Sequence, residues 1–372
     1  MSHANVSMGK YIADAAEQFS SRGRLADVRK YGSGNINKTF LATVDNGREK
    51  NFILQCINTQ VFRHPELVTR NIRIVTEHIR DRLESISSDG RRREIPRVLP
   101  ARDGHDFWID PDGSFWRASS FIDRCLSFDT IENTGHAIEI GYALGMFHNL
   151  VSDLPPHRLS NTLRGFHITP LYLKHYREVL AKHKPDASPE VEHCLKFISE
   201  RSSFANVLEN AKNRDILRPS VIHGDPKVNN IMIDTDTQKA VCMIDLDTVM
   251  SGLLHYDIGD CLRSGCNPAG EETEQVETVC FDLDLCNAVL QGYCSVAREF
   301  LSMNDFDFIY DSIRLLTFEL GLRFFTDFLE GNVYFRAGRP KHNLIRAMVQ
   351  FKLVESIESQ ETAIRTMIKS LR

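Results

Sequence analysis

Residues 221–247 read Val221-Ile-His-Gly-Asp-Pro-Lys-Val-Asn-Asn-Ile-Met-Ile-Asp-Thr-Asp-Thr-Gln-Lys-Ala-Val-Cys-Met-Ile-Asp-Leu-Asp247. Two short apolar runs, 231–233 and 240–244, flank a polar turn at 234–239, a pattern that predicts an antiparallel hairpin. Asn230 precedes the first run and Asp245 follows the second, so antiparallel pairing puts both at the same end. Asp225 lies in the loop that feeds this end, and Asp247 lies just past it. One amide and up to three carboxylates are therefore expected to converge.

Carboxylates that crowd together repel one another unless a cation neutralises them. The donors here are hard oxygens with no accompanying His–Cys set, which favours Mg²⁺ shared with substrate phosphates. A carboxylate left off the metal is placed to take a proton from a hydroxyl nucleophile. Asp and Asn five residues apart, followed by a second Asp after a hairpin, is an arrangement used in phosphoryl transfer.

Moving outward, residues 1–121 read as strand-rich with one strong helix. Predicted strands cover 38–44 and 51–57, with the turn Asp45-Asn46-Gly47 between them. A helix is expected over 65–86, where Val68, Ile72, Val75, Ile79, Leu83 and Ile86 recur at steps of three and four. A further strand pair, 106–109 and 114–122, is joined by Asp110-Pro-Asp-Gly113. Beyond residue 122 helical patterns dominate: 134–153, 170–183, 189–210, 274–301, 305–330 and 343–372. This predicts an α+β, bilobal chain, with a small β-rich lobe over 1–121 and a larger, mostly helical lobe over 122–372.

The motif His223-Gly-Asp225-x4-Asn230, followed by Ile244-Asp245, resembles the catalytic loop and metal-binding Asp of the aminoglycoside phosphotransferase and choline kinase superfamily, whose fold is similar to protein kinases. The resemblance implies that Asp225 is the catalytic base, that Asn230 and Asp245 hold Mg²⁺ with Asp247 beside them, and that His223 braces the loop. Further pieces resemble the N-acetylhexosamine 1-kinases of that superfamily: Gln55-Cys-Ile-Asn58, Ile244-Asp-Leu-Asp-Thr248, Tyr256-Asp-Ile-Gly-Asp260, Phe318-Glu-Leu-Gly-Leu-Arg323 and Leu329-Glu-Gly-Asn-Val-Tyr-Phe335. The implied activity is ATP- and Mg²⁺-dependent phosphorylation of an anomeric hydroxyl. The alternatives are an aminoglycoside, choline or homoserine kinase, or a nucleotide-binding protein without turnover.

At the nucleotide end, Gly32, Ser33, Gly34 and Asn35 form a glycine turn whose backbone N–H groups suit phosphate. Asn37 stands where a Walker A loop needs Gly, and the strand that follows excludes both that loop and a dinucleotide-binding turn. Gln55 occupies the position where protein kinases and many aminoglycoside kinases carry a lysine; the N-acetylhexosamine kinases that the chain resembles also have Gln there, and its amide is expected to donate a hydrogen bond to phosphate without carrying charge. Phosphate neutralisation is thereby left to Mg²⁺ and Lys38, and Glu66 and Glu77 both remain open as partners on the 65–86 helix. Segment 118–122, with Ser120 and Ile122, is the expected adenine hinge. At the acceptor end, Glu319, Arg323 and Asp327 form a polar stripe at steps of four along an otherwise apolar helix. Glu319, Arg323 and Arg263 are the expected sugar contacts. His167 is a further candidate, and Asp257 and Asp260 are expected to order the loop after the metal site.

Lys and Arg number 45 against 50 Asp and Glu, a net charge of −5, which excludes a broad nucleic-acid-coating surface. Hydrophobic residues make up 42% and charged residues 26%, as in ordinary globular chains. No apolar run reaches the ~18 residues of a membrane span, and the N-terminus has no signal-peptide core. We therefore expect a cytoplasmic monomer or weak dimer whose partners are ATP and a small sugar, without nucleic acid or membrane. The nine cysteines include no Cys-x-x-Cys pair, and Cys194, Cys242, Cys286 and Cys294 read as core thiols.

Overall fold

The computed structural model describes residues 3–20, 23–32, 36–46, 50–86, 90–182 and 188–372. An N-terminal helix, α1 (His3–Phe19), was not expected from the sequence; it packs Ala15, Ala16 and Phe19 onto the first sheet. That sheet contains β1 (Arg24–Lys30), β2 (Lys38–Asp45), β3 (Asn51–Ile57), β4 (Val98–Leu99), β5 (Trp108–Ile109) and β6 (Phe115–Ser120). Its order is β1-β2-β3-β6-β4, with β5 paired to β6, and every pairing is antiparallel. Register places Thr39 and Arg117 on either side of Gln55. Directly opposed residues share a sheet face, so these three side chains form a row.

Helix α2 (Pro65–Ser85) follows β3, close to its expected bounds. Its apolar stripe of Val68, Ile72, Val75 and Ile79 belongs to the same buried cluster as the helices of the second lobe, whereas α1 and the sheet strands form a separate cluster. Asn71, also buried on α2, donates to the carbonyls of Ser160 at 2.8 Å and Val249 at 3.1 Å. The main helix of the small lobe is thus fastened to the large one.

The large lobe starts with β7 (Cys125–Leu126) and α3 (Thr134–Val151). It continues through α4 (Thr169–Lys182), α5 (Pro189–Arg201) and α6 (Val207–Asn213). The single helix expected over 189–210 breaks at Ser202–Asn206, where a 3₁₀ turn intervenes. Ser and Asn side chains compete for backbone groups there and weaken the α-helix. Next come β8 (Ser220–Ile222), the hairpin β9 (Ile231–Asp234) and β10 (Ala240–Met243), and β11 (Met250–Gly252). The hairpin is antiparallel as expected, with Met243 opposite Ile231.

The chain ends in α7 (Leu254–Gly265), α8 (Leu283–Ala297), α9 (Met303–Leu329), α10 (His342–Ser359) and α11 (Glu361–Ser370). Helix α7 was not expected: its polar residues Asp257, Asp260 and Arg263 recur at steps of three, but they are buried, as are ten of its twelve residues. Expected helix 274–301 begins only at Leu283, where the Asp282 carboxylate caps the N–H groups of Asp284 and Leu285 at 2.9 Å each. Expected helix 343–372 is divided at Gln360. Cys194, Cys242, Cys286 and Cys294 are buried free thiols. Among the described residues no helix is long and apolar enough to cross a membrane.

Candidate active site

The loop between β8 and β9 is held from below by Asp257 on α7. Its carboxylate is fully buried and accepts from the backbone N–H of His223 at 2.7 Å and of Gly224 at 2.8 Å. His148 on α3 holds the same carboxylate at 2.9 Å. Asp257 therefore orders the loop before the hairpin, where the loop after the metal site was expected, and does so from a helix. Gly224 has φ +86°, and a Cβ there would lie 2.8 Å from the Thr248 carbonyl. Both the turn and the close approach require glycine.

His223 braces the loop. It donates from Nε2 to the Ile244 carbonyl at 2.9 Å, while Nδ1 accepts from the Asp225 N–H at 3.3 Å. Only a neutral ring makes both bonds, and burial holds this imidazole below its ordinary range. His167 is in the opposite condition. Its ring faces Glu319 at 3.0 Å through Nδ1 and the Gly224 carbonyl at 2.9 Å through Nε2. Both partners only accept, so the imidazolium satisfies both. Burial alone would depress this histidine, but the Glu319 hydrogen bond and charge hold it above its ordinary range.

At the open end of the hairpin, the Ile244 N–H donates to the Asn230 carbonyl at 2.8 Å, which sets Asn230 and Asp245 side by side. Asn230 donates its Nδ2 to the Asp225 carbonyl at 2.8 Å. Its Oδ1 has no donor among the described residues. Asp245 sits in the left-handed region, φ 61° and ψ 55°, with its side chain exposed. Desolvation, then the charges of Asp247 and Asp225, push its carboxyl up to about 7. Arg117 and Lys227 offset this only in part, and a carboxyl raised in this way beside an amide oxygen with no donor among the described residues suits a hard cation. Asp225, partly exposed, is held by Lys227 at 2.9 Å. The Asp225 charge, outweighing burial, keeps the Lys227 ammonium above the usual lysine range.

Asp247 is placed differently from the expected metal ligand. Its carboxylate is taken up by Arg117 of β6 and by the Asn37 amide, so it joins the small-lobe sheet to the metal loop. Among the described residues no three His, Cys, Asp or Glu side chains form a ready-made metal cluster. The oxygen set is therefore Asn230 and Asp245, with Asp225 alongside.

On the nucleotide side, Gly32 holds φ +72°, while Ser33, Gly34 and Asn35 lie outside the described residues. Gln55 accepts from Arg117 Nε at 3.1 Å and Nη2 at 2.8 Å. Neither open candidate on α2 partners it: Glu77 pairs with Arg73 at 3.0 Å and Glu66 with His64 at 3.4 Å. Lys38 is exposed at the start of β2. Ser120 is spent on the Arg97 N–H at 2.9 Å, and Ile122 is packed against Cys125, Met232, Val241 and Cys242. Only the backbone of this segment is left for a hinge role.

The expected acceptor contacts divide. Arg263 is 2% exposed and tied to Asp260 at 2.7 Å and Glu271 at 3.1 Å. Glu319 is 1% exposed, and Thr169 takes its second oxygen at 2.6 Å. Neither faces open space, because each is needed to balance a buried partner. Glu319 instead positions His167, and through it Gly224. Arg323, one turn further along α9, is different. It lines a cavity of about 750 Å³ together with Arg63, Arg164, Phe166, Tyr172, Asp327, Tyr334 and Phe335. Its guanidinium lies 4.9 Å from the Tyr172 ring centre and 5.3 Å from that of Phe335. No carboxylate among the described residues pairs with it. Phe166 in the cavity wall adjoins His167, which touches the catalytic loop.

Arg117, Asn37, Asn71 and Lys227 were missed. Lys227 lay inside the quoted motif. The other three become significant only once distant strands and helices are brought together.

The profile of the phosphotransferase enzyme family matches residues 27–278. The structure is similar to a microcompartment-associated aminopropanol kinase at 15% identity and a TM-score of 0.60, covering 97% of this chain and 98% of that one. It is similar to the amicoumacin kinase hAmiN, solved with AMP-PNP, Ca²⁺ and Ami, at 13% identity and a TM-score of 0.57, covering 99% and 96%. An aminoglycoside phosphotransferase from Alicyclobacillus acidocaldarius gives 13% identity and a TM-score of 0.61, covering 96% of each chain. These likenesses show a shared bilobal, protein-kinase-like α+β fold. Because the family match spans more than half of its length and includes the Asp225–Asn230–Asp245 loop, the chain belongs to the phosphotransferase enzyme family.

Proposed function

We propose that this small-molecule phosphotransferase uses ATP and Mg²⁺ to phosphorylate the anomeric hydroxyl of an N-acetylhexosamine, giving the sugar 1-phosphate. Asn230 and Asp245 would hold the metal, which supplies positive charge to the phosphates when bound. Asp225 accepts the proton of the attacking hydroxyl, and Lys227 fixes the orientation of its carboxylate. His223, His167 and Asp257 keep the loop rigid, which matters because phosphoryl transfer is mostly positioning and electrostatics. The nucleotide assignment is supported by the amicoumacin kinase, whose structure contains AMP-PNP and a divalent cation.

Arg323 carries the acceptor assignment. Aminopropanol and aminoglycosides bear amines that are cations at neutral pH, and a cationic acceptor wants an acidic wall. Of the cavity's two carboxylates, Asp327 is spent on the N–H groups of Val333, Tyr334 and Phe335 and on Asn343, and Glu330 faces His175 at 3.2 Å. Among the described residues the cavity charges without a carboxylate partner are guanidinium groups, Arg63, Arg164 and Arg323, and such a group donates to hydroxyls and to an acetamide carbonyl. The surrounding aromatic faces suit the C–H surface of a sugar.

The test is a coupled ADP-release screen with MgATP over N-acetylhexosamines, other free sugars, homoserine, choline and aminoglycosides. Turnover is expected with an N-acetylhexosamine. A signal confined to choline or aminoglycosides would overturn the acceptor reading, and MgATP binding with no turnover on any acceptor would overturn the kinase reading.

A further inference from the structure

Arg117 stands in the middle of the sheet face turned toward the metal loop. It is 6% exposed, and β6 sets it directly opposite Gln55 on β3. Nε and Nη2 donate to the Gln55 amide oxygen, and Nη2 also reaches Asp247. The remaining arm, Nη1, is buried and has no hydrogen-bond partner among the described residues. A buried guanidinium arm without an acceptor is costly, and native structures rarely tolerate one without a reason.

Three features show what acceptor would suit it. The donor is cationic, so an anionic oxygen makes the strongest bond. Asp247, which holds the other arm, is two residues from Asp245. Thr39, Gln55 and Arg117 form one row on β2, β3 and β6, and β2 is the strand entered from the glycine turn. Through Asp247 this row is tied to the loop that carries Asp245. Gln55 is neutral and cannot neutralise charge, but its amide oxygen accepts two guanidinium bonds and so fixes the plane of Arg117.

We propose that Arg117 is the phosphate-binding cation of the nucleotide site, that Gln55 orients it, and that its Nη1 donates to a polyphosphate oxygen of the bound nucleoside triphosphate. The cation of the small lobe thus sits one strand over from Gln55, the position where protein kinases and many aminoglycoside kinases carry a lysine. This rests on the cleft binding ATP, a reading that wild-type protein tests separately.

Calorimetric titration of the full chain with MgATP and with adenosine measures the claim. Wild-type protein that binds adenosine but gains nothing from the triphosphate would refute the nucleotide reading itself. If wild type binds MgATP, Arg117→Gln is expected to weaken MgATP at least about tenfold, equivalent to ~1.4 kcal/mol, while adenosine stays within about threefold. MgATP affinity within threefold of wild type, or an equal loss for adenosine, would overturn the role of Arg117 and leave the nucleotide reading intact. Should Arg117→Gln alone fail to fold, the double variant Arg117→Gln/Gln55→Lys decides. It returns a cation to β3 within the same row, and MgATP binding within about tenfold of wild type is the supporting result. A double variant that binds adenosine without MgATP, or that does not fold, counts against the proposal.

Discussion

The hairpin proposed to hold the metal and the Arg323 cavity are built in opposite ways. The hairpin draws Asp225, Asn230 and Asp245 from twenty-one consecutive residues, and one antiparallel register sets their positions. The cavity draws its wall from the start of α2 and the segment before it, α4 and the loop before it, α9 and the stretch after it. No local rule sets the spacing of those pieces. The local site therefore tolerates little change, because each side chain is placed by the backbone of its neighbours. The assembled cavity has room to exchange side chains while the fold persists, as the proposed acceptor site of a family with varied acceptors would need.

The hairpin should accordingly show the larger losses. Asp245→Asn is expected to abolish turnover and to weaken MgATP more than Mg-free ATP, because it removes a hard anionic ligand. Calorimetry with and without Mg²⁺ measures the difference, and equal losses would reduce Asp245 to a structural residue. Asp225→Asn is expected to lower kcat by roughly 10²–10⁴, the usual cost of losing a general base. Its MgATP affinity should stay within about threefold, since the phosphates do not depend on that carboxylate. A variant retaining more than about a third of wild-type kcat would remove Asp225 from the chemistry.

This contrast also explains what was legible in the sequence. The hairpin could be read because its information is local: two apolar runs, one turn and the residues at their ends. Strand β3 and helix α2 were legible for the same reason, through alternation and a three-to-four period. Helix α7 was not, because it is buried on nearly every side and carries Asp257, Asp260 and Arg263 without an exposed face. Arg263 then looked like a free guanidinium for sugar, since nothing in the linear sequence reveals that Asp260 and Glu271 bind it. Asp247 was misplaced for a related reason. Its partners Arg117 and Asn37 lie 130 and 210 residues away, so only the meeting of the lobes shows that its oxygens are spent.

The two arginines expected at the acceptor now separate into a sharper test. Arg323→Ala should raise the acceptor KM by about tenfold or more, since hydrogen bonds to a charged group are worth about 1.5–3 kcal/mol, with ATP KM unchanged. Arg263→Ala should leave the acceptor KM of the folded fraction near wild type. It should instead cost about 3–5 kcal/mol of stability, because Asp260 remains as an uncompensated buried charge. Steady-state kinetics paired with urea unfolding separates the two effects. An acceptor KM that rises for Arg263→Ala and not for Arg323→Ala would move the acceptor from the cavity to α7.

The smallest effect on turnover is expected where the two regions touch, at the contact from Glu319 through His167 to Gly224. Glu319→Gln keeps the shape of the side chain and removes its charge, so the acceptor KM should change by no more than about threefold, or ~0.65 kcal/mol. Its signature should lie in the pH dependence of stability. Glu319, overcoming burial, raises the His167 pKa above the value of an unfolded histidine. A raised folded pKa means that the native state binds the proton more tightly than the unfolded state does. That contribution is fully present below about pH 6.5, the unfolded value, and is lost as pH rises through the higher folded value. His223 and His255 have depressed pKa values and so oppose this trend at low pH, which makes the difference between wild type and variant the informative quantity. The stability lost on Glu319→Gln should be greatest below about pH 6.5 and should shrink as pH rises. Thermal unfolding of both proteins from pH 5.5 to 9 measures that difference, and a constant gap would show that Glu319 holds His167 by shape alone and leaves its charge unchanged.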